Sequence, residues 1–232
     1  MLEAIGLEKR FTRGIRRKSV FTVSHVSLQV GRGEAVGLVG PSGSGKSTLA
    51  RMLAQIIRPS AGSVRLDGVD MASVPPVHWG SYQRRIQMIF QDPHLALDPK
   101  KTIAWTMREV FQAHGITHSR READDRINAI FAETGLSLEI RNRLPHEISG
   151  GQAQRVVIAR ALTLNPHYVI ADEPTSMLDL SVQAMVFNLL RMLKQQRNLG
   201  LVLISHDPAV VTAFCDRVLN IRNGSLVFDV TP

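Results

Sequence analysis

The run Gly40-Pro41-Ser42-Gly43-Ser44-Gly45-Lys46-Ser47 fits the pattern G-x-x-x-x-G-K-[ST], with Thr48 next in line. Each residue type has a chemical reason to stand there. The glycines let successive backbone N–H groups turn inward around phosphate oxygens. A helix opening at this point adds unpaired donors and the positive end of a dipole. Lys46 brings a point charge to the outer phosphates, and Ser47 offers a hydroxyl to Mg²⁺. The bland alternative is a Gly/Ser-rich turn with a surface lysine. It needs neither a strand before the run nor a helix after it, and the sequence supplies both, at Glu34 to Val39 and at Thr48 to Ile57.

A phosphate–magnesium site also needs acids at the end of a buried strand. His167 to Ala171 is apolar and is followed by Asp172-Glu173. Asp172 would hold the magnesium directly or through water. Glu173 stands where the chain leaves the sheet, and a carboxylate there can polarise water for attack on a terminal phosphate. Its alternative reading is a surface acid opening a turn at Pro174. His206 follows the apolar stretch Leu201 to Ile204, at the strand end where doubly wound sheets bind ligands. Position alone leaves two readings for it, a phosphate contact and a helix-entry residue beside Asp207-Pro208.

These residues need a scaffold. Residues 2–7 and 19–30 read as short strands, and Gly31-Arg32-Gly33 as a turn. Glu34 to Val39, an apolar run closed by Gly40, suits a buried strand of a parallel sheet. Arg65 to Leu66 with Asp67-Gly68 reads as a strand and tight turn, and Ile86 to Phe90 as a further buried strand. Thr102 to Ala113 and Arg120 to Thr134 carry helical spacing, which predicts a helical sub-lobe over about 94–164. Gln152 to Leu164 and Val182 to Gln196 read as helices, with strands at Tyr168 to Ala171 and Leu201 to Ile204. The alternation predicts an α/β fold, a mostly parallel sheet flanked by helices, over a single domain spanning 1–232.

Composition narrows the class. Hydrophobic residues make up 44% and charged residues 21% of the 232, ordinary values for a globular chain. Cys215 is the only cysteine, so no internal disulfide and no multi-cysteine zinc site can form, which fits a reducing compartment. No basic stretch followed by an apolar core opens the sequence, so no secretory signal is expected. No apolar run approaches the roughly 18 residues of a membrane span. The net charge is +8, concentrated in part at Arg10, Arg13, Arg16, Arg17 and Lys18. That run reads first as a solvated basic loop, with a phosphate or lipid contact as the alternative. It carries no interleaved aromatics, which argues against nucleic acid as a partner.

The order of motifs resembles a known family. The phosphate loop, Gln91, the run Ser149-Gly150-Gly151-Gln152, Asp172-Glu173, Ser176 to Asp179 and His206 together resemble the ATP-binding cassette (ABC) ATPases of membrane transporters, from about Leu2 to Phe228. Ser-Gly-Gly-Gln is the specific element. The resemblance implies a P-loop NTPase fold with an antiparallel β sub-lobe and an inserted helical sub-lobe. It implies that Phe11 stacks on adenine, that Gln91 senses Mg²⁺ and faces the membrane subunits, and that Ser149 to Gln152 contact ATP held by an opposite subunit. It makes Glu173 the general base, His206 the switch histidine, and Asp179 the acid of a loop linking two sites. Independently, Ser149 is a good N-cap for a helix near Gln152, and Gly150-Gly151 permit close backbone approach. That is a second helix N-terminus suited to phosphate.

Implied partners are two transmembrane permease subunits, a second ATPase chain head to tail, and indirectly a periplasmic or extracellular substrate-binding protein. The implied place is the cytoplasmic face of the inner (cell) membrane, held peripherally. Gln91-Asp92-Pro93, Leu97-Asp98-Pro99, the basic segment around Arg16 to Val20 and Arg217 to Gly224 are similar to the peptide and nickel import ATPases, a group that usually pairs two different ATPase chains. Many peptide-transporting members carry a further tail rich in His, Pro and Tyr, and a chain ending at Pro232 suggests the nickel or metal-chelate branch or a shortened chain. Ile148 stands where Leu is commoner and Met177 where Ala is common, and neither is expected to cost activity.

Other functions fit less well. DNA-repair cassettes carry long coiled coils or zinc inserts, translation-type proteins carry two cassettes, and a GTPase would need N-K-x-D; none of these is in the sequence. Export in place of import stays open. His114 and His118 lack a third ligand nearby, and Met177, Met185 and Met192 read as core packing, so any nickel cargo would be handled by partner proteins.

Overall fold

The computed structural model describes residues 1–13 and 18–230; Arg16 and Arg17 of the basic run lie outside the described residues. The chain divides into two compact units. The first comprises 1–88, 167–173 and 193–232, and the second 89–166 and 174–192.

The first unit holds two sheets. Strands β1 (Leu2–Arg13), β2 (Lys18–Val30), β4 (Ala61–Leu66) and β5 (Val69–Asp70) form an antiparallel sheet in the order β2-β1-β4-β5. The second sheet runs β10-β9-β3-β8-β7-β6. Its strands are β3 (Ala35–Val39), β6 (Ile86–Ile89), β7 (Tyr168–Asp172), β8 (Gly200–Ile204), β9 (Arg217–Arg222) and β10 (Ser225–Val230). β3 pairs in parallel with β8 on one side and β9 on the other, and β7 pairs in parallel with β8. β10 turns back antiparallel on β9. Every residue of β3, β7 and β8 is buried. That explains why these segments read as continuous apolar runs, since a central parallel strand has no wet face.

The loop after β3 enters α1 (Lys46–Leu53), whose Leu49, Met52 and Leu53 are fully buried against both sheets. Burying each such side chain contributes roughly 1.5–3 kcal/mol before entropy is counted. The sequence predicted this helix over Thr48 to Ile57. It starts earlier because the glycine-rich turn ends at Gly45, and it stops earlier because Gln55 adopts a left-handed φ of 60°. The Ile56 and Ile57 N–H groups then fold back onto the Arg51 carbonyl.

Two helices of this unit have no counterpart in the sequence reading. α2 (Pro76–Arg85) runs through Gly80, and α7 (Pro208–Phe214) is a short helix of about two turns that contains two valines. The strands of the hairpin β9–β10 likewise go beyond what the sequence pattern predicts.

The second unit is helical. α3 (Ile103–Ala113) and α4 (Arg120–Glu133) are capped by Thr102 and Ser119, and α5 (Gly150–Leu162) by Ser149. α6 (Leu180–Arg197) begins in this unit and its residues from Leu193 onward belong to the first. Asp124 on α4 receives both Arg108 from α3 (2.6 Å) and Arg141 (2.8 Å), which ties three segments together at one carboxylate.

Candidate functional site

The phosphate loop is bent by its glycines. Gly40, Gly43 and Gly45 have φ of 155°, 77° and 107°. A Cβ at Gly40 would lie 2.2 Å from the Ile221 carbonyl oxygen, and one at Gly45 2.3 Å from that of Thr22. Both neighbours are backbone, so no side chain is tolerated at either place without moving a strand. Lys46 is 6% exposed, and its ammonium donates to the carbonyls of Gly40 (2.8 Å) and Pro41 (2.9 Å), closing the loop on itself. Ser44 Oγ is buried with no hydrogen-bond partner among the described residues. A buried hydroxyl without a partner is costly, and a phosphate oxygen is the acceptor that this loop geometry suits. Pro41, Ser42 and Gly43 are exposed at the tip, and Ser47 and Thr48 are half-buried on the first turn of α1.

Facing the loop from β7, Asp172 is 6% exposed and its Oδ1 accepts from the Ser47 hydroxyl at 3.1 Å. Burial pushes the Asp172 carboxyl above its ordinary range; the Ser47 hydrogen bond opposes that, and the neighbouring Glu173 charge adds to it. A hydroxyl and a buried carboxylate side by side form a hard oxygen pair of the kind that a magnesium ion takes. The donor set therefore fits the metal.

Glu173 is the first residue past β7 and sits in the left-handed region at φ 49°. Its N–H donates to the Ile204 carbonyl of β8 at 3.0 Å, which holds the backbone in that turn. Its Oε2 lies 3.3 Å from His206 Nδ1. The two residues come from different strand ends, so β7–β8 pairing is what brings them together. His206 therefore lies beside Glu173, and at the entry to α7 it is Asp207 whose carboxylate caps the helix, through the Ala209 N–H at 2.9 Å.

The remaining expected residues lie in the second unit, Phe11 excepted. Phe11 is on β1, 45% exposed, with the Lys9 ammonium 5.3 Å from its ring centroid. Ser149 and Gln152 form a reciprocal capping box. Ser149 Oγ accepts from the Gln152 N–H (3.3 Å), and Gln152 Oε1 accepts from the Ser149 N–H (3.0 Å). The helix thus opens at Gly150, two residues before the expected start. Gly151 packs so tightly that a Cβ would lie 2.4 Å from Val182 Cγ1. Asp179 has a role the sequence did not disclose. Its carboxylate accepts from Ser181 Oγ (2.6 Å) and the Val182 N–H (3.0 Å), capping α6, and these bonds hold its carboxyl below the usual range. Gln91 is exposed in the loop after β6. The sequence also missed the β9–β10 turn, where the Gly224 N–H donates to the Ser44 carbonyl at 3.0 Å.

A glycine-bent loop leading from a central parallel strand into a helix, with Ser47 on the first turn of that helix and Asp172 at the end of β7, defines a phosphate-loop nucleoside triphosphatase. Comparison with known proteins makes this more specific. Residues 23–176 match the family described as ABC transporter. A putative peptide import ATP-binding protein of Brucella ovis is 42% identical over 227 residues, covering 98% of this chain and 71% of that one. The oligopeptide transport ATP-binding protein OppF of Escherichia coli is 42% identical over 210 residues, covering 90% and 63%. Among solved structures, the dimeric ATP-binding cassette MJ0796 bound to ADP and Pi superposes with TM-score 0.88 at 27% identity, over 100% of this chain and 98% of that one. The chain belongs to the ABC transporter family, and it is an ATP-binding subunit that hydrolyses ATP.

Proposed function

We propose that this chain is a single cassette, with its helical sub-lobe at about 94–164, that powers import of peptides through two membrane permease subunits. The peptide and oligopeptide names of its relatives support peptides over nickel chelates as the cargo. On this reading it works peripherally at the cytoplasmic face of the membrane, fed by a substrate-binding protein. Among the described residues no helix is long and apolar enough to cross a membrane, so the passage itself would belong to partner chains.

The observation that carries the reading is the line Ser47–Asp172, then Glu173–His206, with Ser47 on the first turn of α1 and the other three at or just past the carboxyl ends of the neighbouring strands β7 and β8. Phe11 would stack on the adenine. The N–H groups of Gly40 to Thr48 and the Lys46 ammonium would hold the β- and γ-phosphates. Ser47, Asp172 and Gln91 would hold Mg²⁺, which when bound offsets the phosphate charge. Glu173 would accept a proton as water attacks the γ-phosphorus; the new P–O bond forms as the bond to the ADP oxygen breaks. His206, against the Glu173 carboxylate, would orient it and contact the γ-phosphate.

The capped N-terminus at Ser149 to Gln152 is a second anion site of the right chemistry. We assign it to the γ-phosphate held by a partner chain, with Asp179 at the start of α6 linking the two sites. ATP would then join two cassettes head to tail, and hydrolysis would part them. MJ0796, the dimeric structural relative, supports this arrangement. Light scattering on the Glu173→Gln chain with ATP and magnesium tests it. A shift from monomer to dimer is expected if the chain pairs with itself. If it stays monomeric, mixing with the companion ATPase chain of the same transporter should give the dimer, and a monomer in both cases sinks the proposal.

A further inference from the structure

The phosphate loop is not held by its own glycines alone. Three contacts seat it on elements far away in sequence. Gly40 is pressed on the Ile221 carbonyl of β9, and Gly45 on the Thr22 carbonyl of β2. Between them, the Ser44 carbonyl accepts the Gly224 N–H at 3.0 Å. Gly224 is in turn fixed to β2, since its carbonyl accepts the Ser24 N–H at 2.8 Å and Ser225 Oγ donates to the Ser24 carbonyl at 3.2 Å. The β9–β10 turn is therefore a strap with the phosphate loop on one side and β2 on the other.

The turn is built for this. Asn223 and Gly224 have φ of 49° and 81°, the left-handed pair that a two-residue hairpin requires, and Asn-Gly is the sequence that adopts it most readily. The close fit is specific to this turn. A Cβ at Gly224 would lie 2.9 Å from the Thr22 carbonyl oxygen and 3.2 Å from Val23 Cα. At Gly68, in the turn joining β4 and β5, φ is 82° yet a Cβ would meet nothing within 4 Å. The two glycines carry the same backbone strain on substitution, and only one of them touches the strap.

We propose that Gly224 is a positioning residue for the phosphate loop. The turn sets the loop's inward N–H groups in the spacing that grips phosphate, so it tunes ATP affinity without touching ATP. This rests on the reading that Gly40 to Thr48 binds the phosphates. A lost strap loosens a preorganised anion cradle, which weakens binding; once ATP is bound the loop is ordered by the ligand and the chemical step proceeds as before.

The matched pair Gly224→Ala and Gly68→Ala tests this in the full-length chain. Gly68→Ala should lose the stability that its left-handed φ costs, and Gly224→Ala more than that, because its Cβ also meets the Thr22 and Val23 backbone. Gly224→Ala should raise the Kd for ATP and the KM about fivefold or more while kcat stays within about twofold, and Gly68→Ala should leave the Kd and KM unchanged. Ser225→Ala, a milder lesion of the same strap, covers the case in which Gly224→Ala does not fold, with an expected rise in Kd of about twofold. Unchanged ATP affinity in Gly224→Ala, or an equal rise in Gly68→Ala, overturns the proposal; if Gly224→Ala does not fold, unchanged affinity in Ser225→Ala does so. Lys46→Ala separates this from the underlying reading: if that variant binds ATP normally, the phosphate-loop assignment itself has failed.

Discussion

Glu173 combines a chemical role with a strained backbone, and the two can be separated by mutation. At φ 49° an ordinary L-residue lies about 1–2 kcal/mol above its relaxed state, because its Cβ crowds the carbonyl. Asparagine tolerates this region far better, whereas glutamine does not. Glu173→Asn and Glu173→Gln both remove the carboxylate, so both lose its repulsion with Asp172 and its contact with His206. That contact is small in any case, at most about 0.5 kcal/mol, since the His206 side chain is 68% exposed. The difference between the two variants is then the strain alone. Glu173→Asn should be more stable than Glu173→Gln by about 1 kcal/mol, or roughly 2 °C in Tm for a chain of this length. Both should lose about 10²- to 10⁴-fold in turnover, the usual contribution of a general base. The assays are thermal melting without nucleotide and phosphate release at saturating ATP. Equal melting temperatures for the two variants would refute the strain reasoning, and turnover within tenfold of the parent in either would refute the base assignment.

Two further outcomes follow from the site. Ser149→Ala removes one half of the α5 capping box and should cost about 1 kcal/mol of stability, read as a small drop in Tm, while turnover falls more than stability does because the same N-terminus is assigned to phosphate. Retained turnover in that variant would count against the phosphate role. Asp172 has a folded pKa raised by burial, so its ionisation destabilises the fold as pH rises through that value. Asp172→Asn should therefore melt higher than the parent at neutral pH, with the gain shrinking as pH falls towards the ordinary carboxylate value of 3.8, while stabilisation by ATP with magnesium is lost. A variant less stable than the parent at neutral pH would show that the Ser47 hydrogen bond outweighs the desolvation.

The local chemistry of this protein was open to reading from residues alone. Gly40 to Ser47 is recognisable from its own glycines, its lysine and the flanking strand and helix, all contiguous in the chain. β3, β7 and β8 were legible because a strand buried on both faces must be apolar throughout. Ser149 and Gln152 stand three apart, the spacing of a capping box, so the start of α5 was visible to within two residues. Where local signals conflict with the outcome, the reading failed. Gly80 breaks the helical pattern of α2, and the valines of α7 favour a strand, yet packing of Trp79 and Tyr82 on the core and the Asp207 cap decide both as helices. Asp179 resembles the acid of a loop linking two sites, and the fold adds that its carboxylate also caps α6.

What no spacing could reveal are the pairings across long separations. Ser47 meets Asp172, Glu173 meets His206, and Gly224 meets Ser44, because β3, β7, β8 and β9 lie side by side in an order unrelated to their order in the chain. Sequence determines which groups can do chemistry and which short segments present them. The order of strands in the sheet, set by how every apolar run is buried at once, decides which of those groups stand within reach of one another.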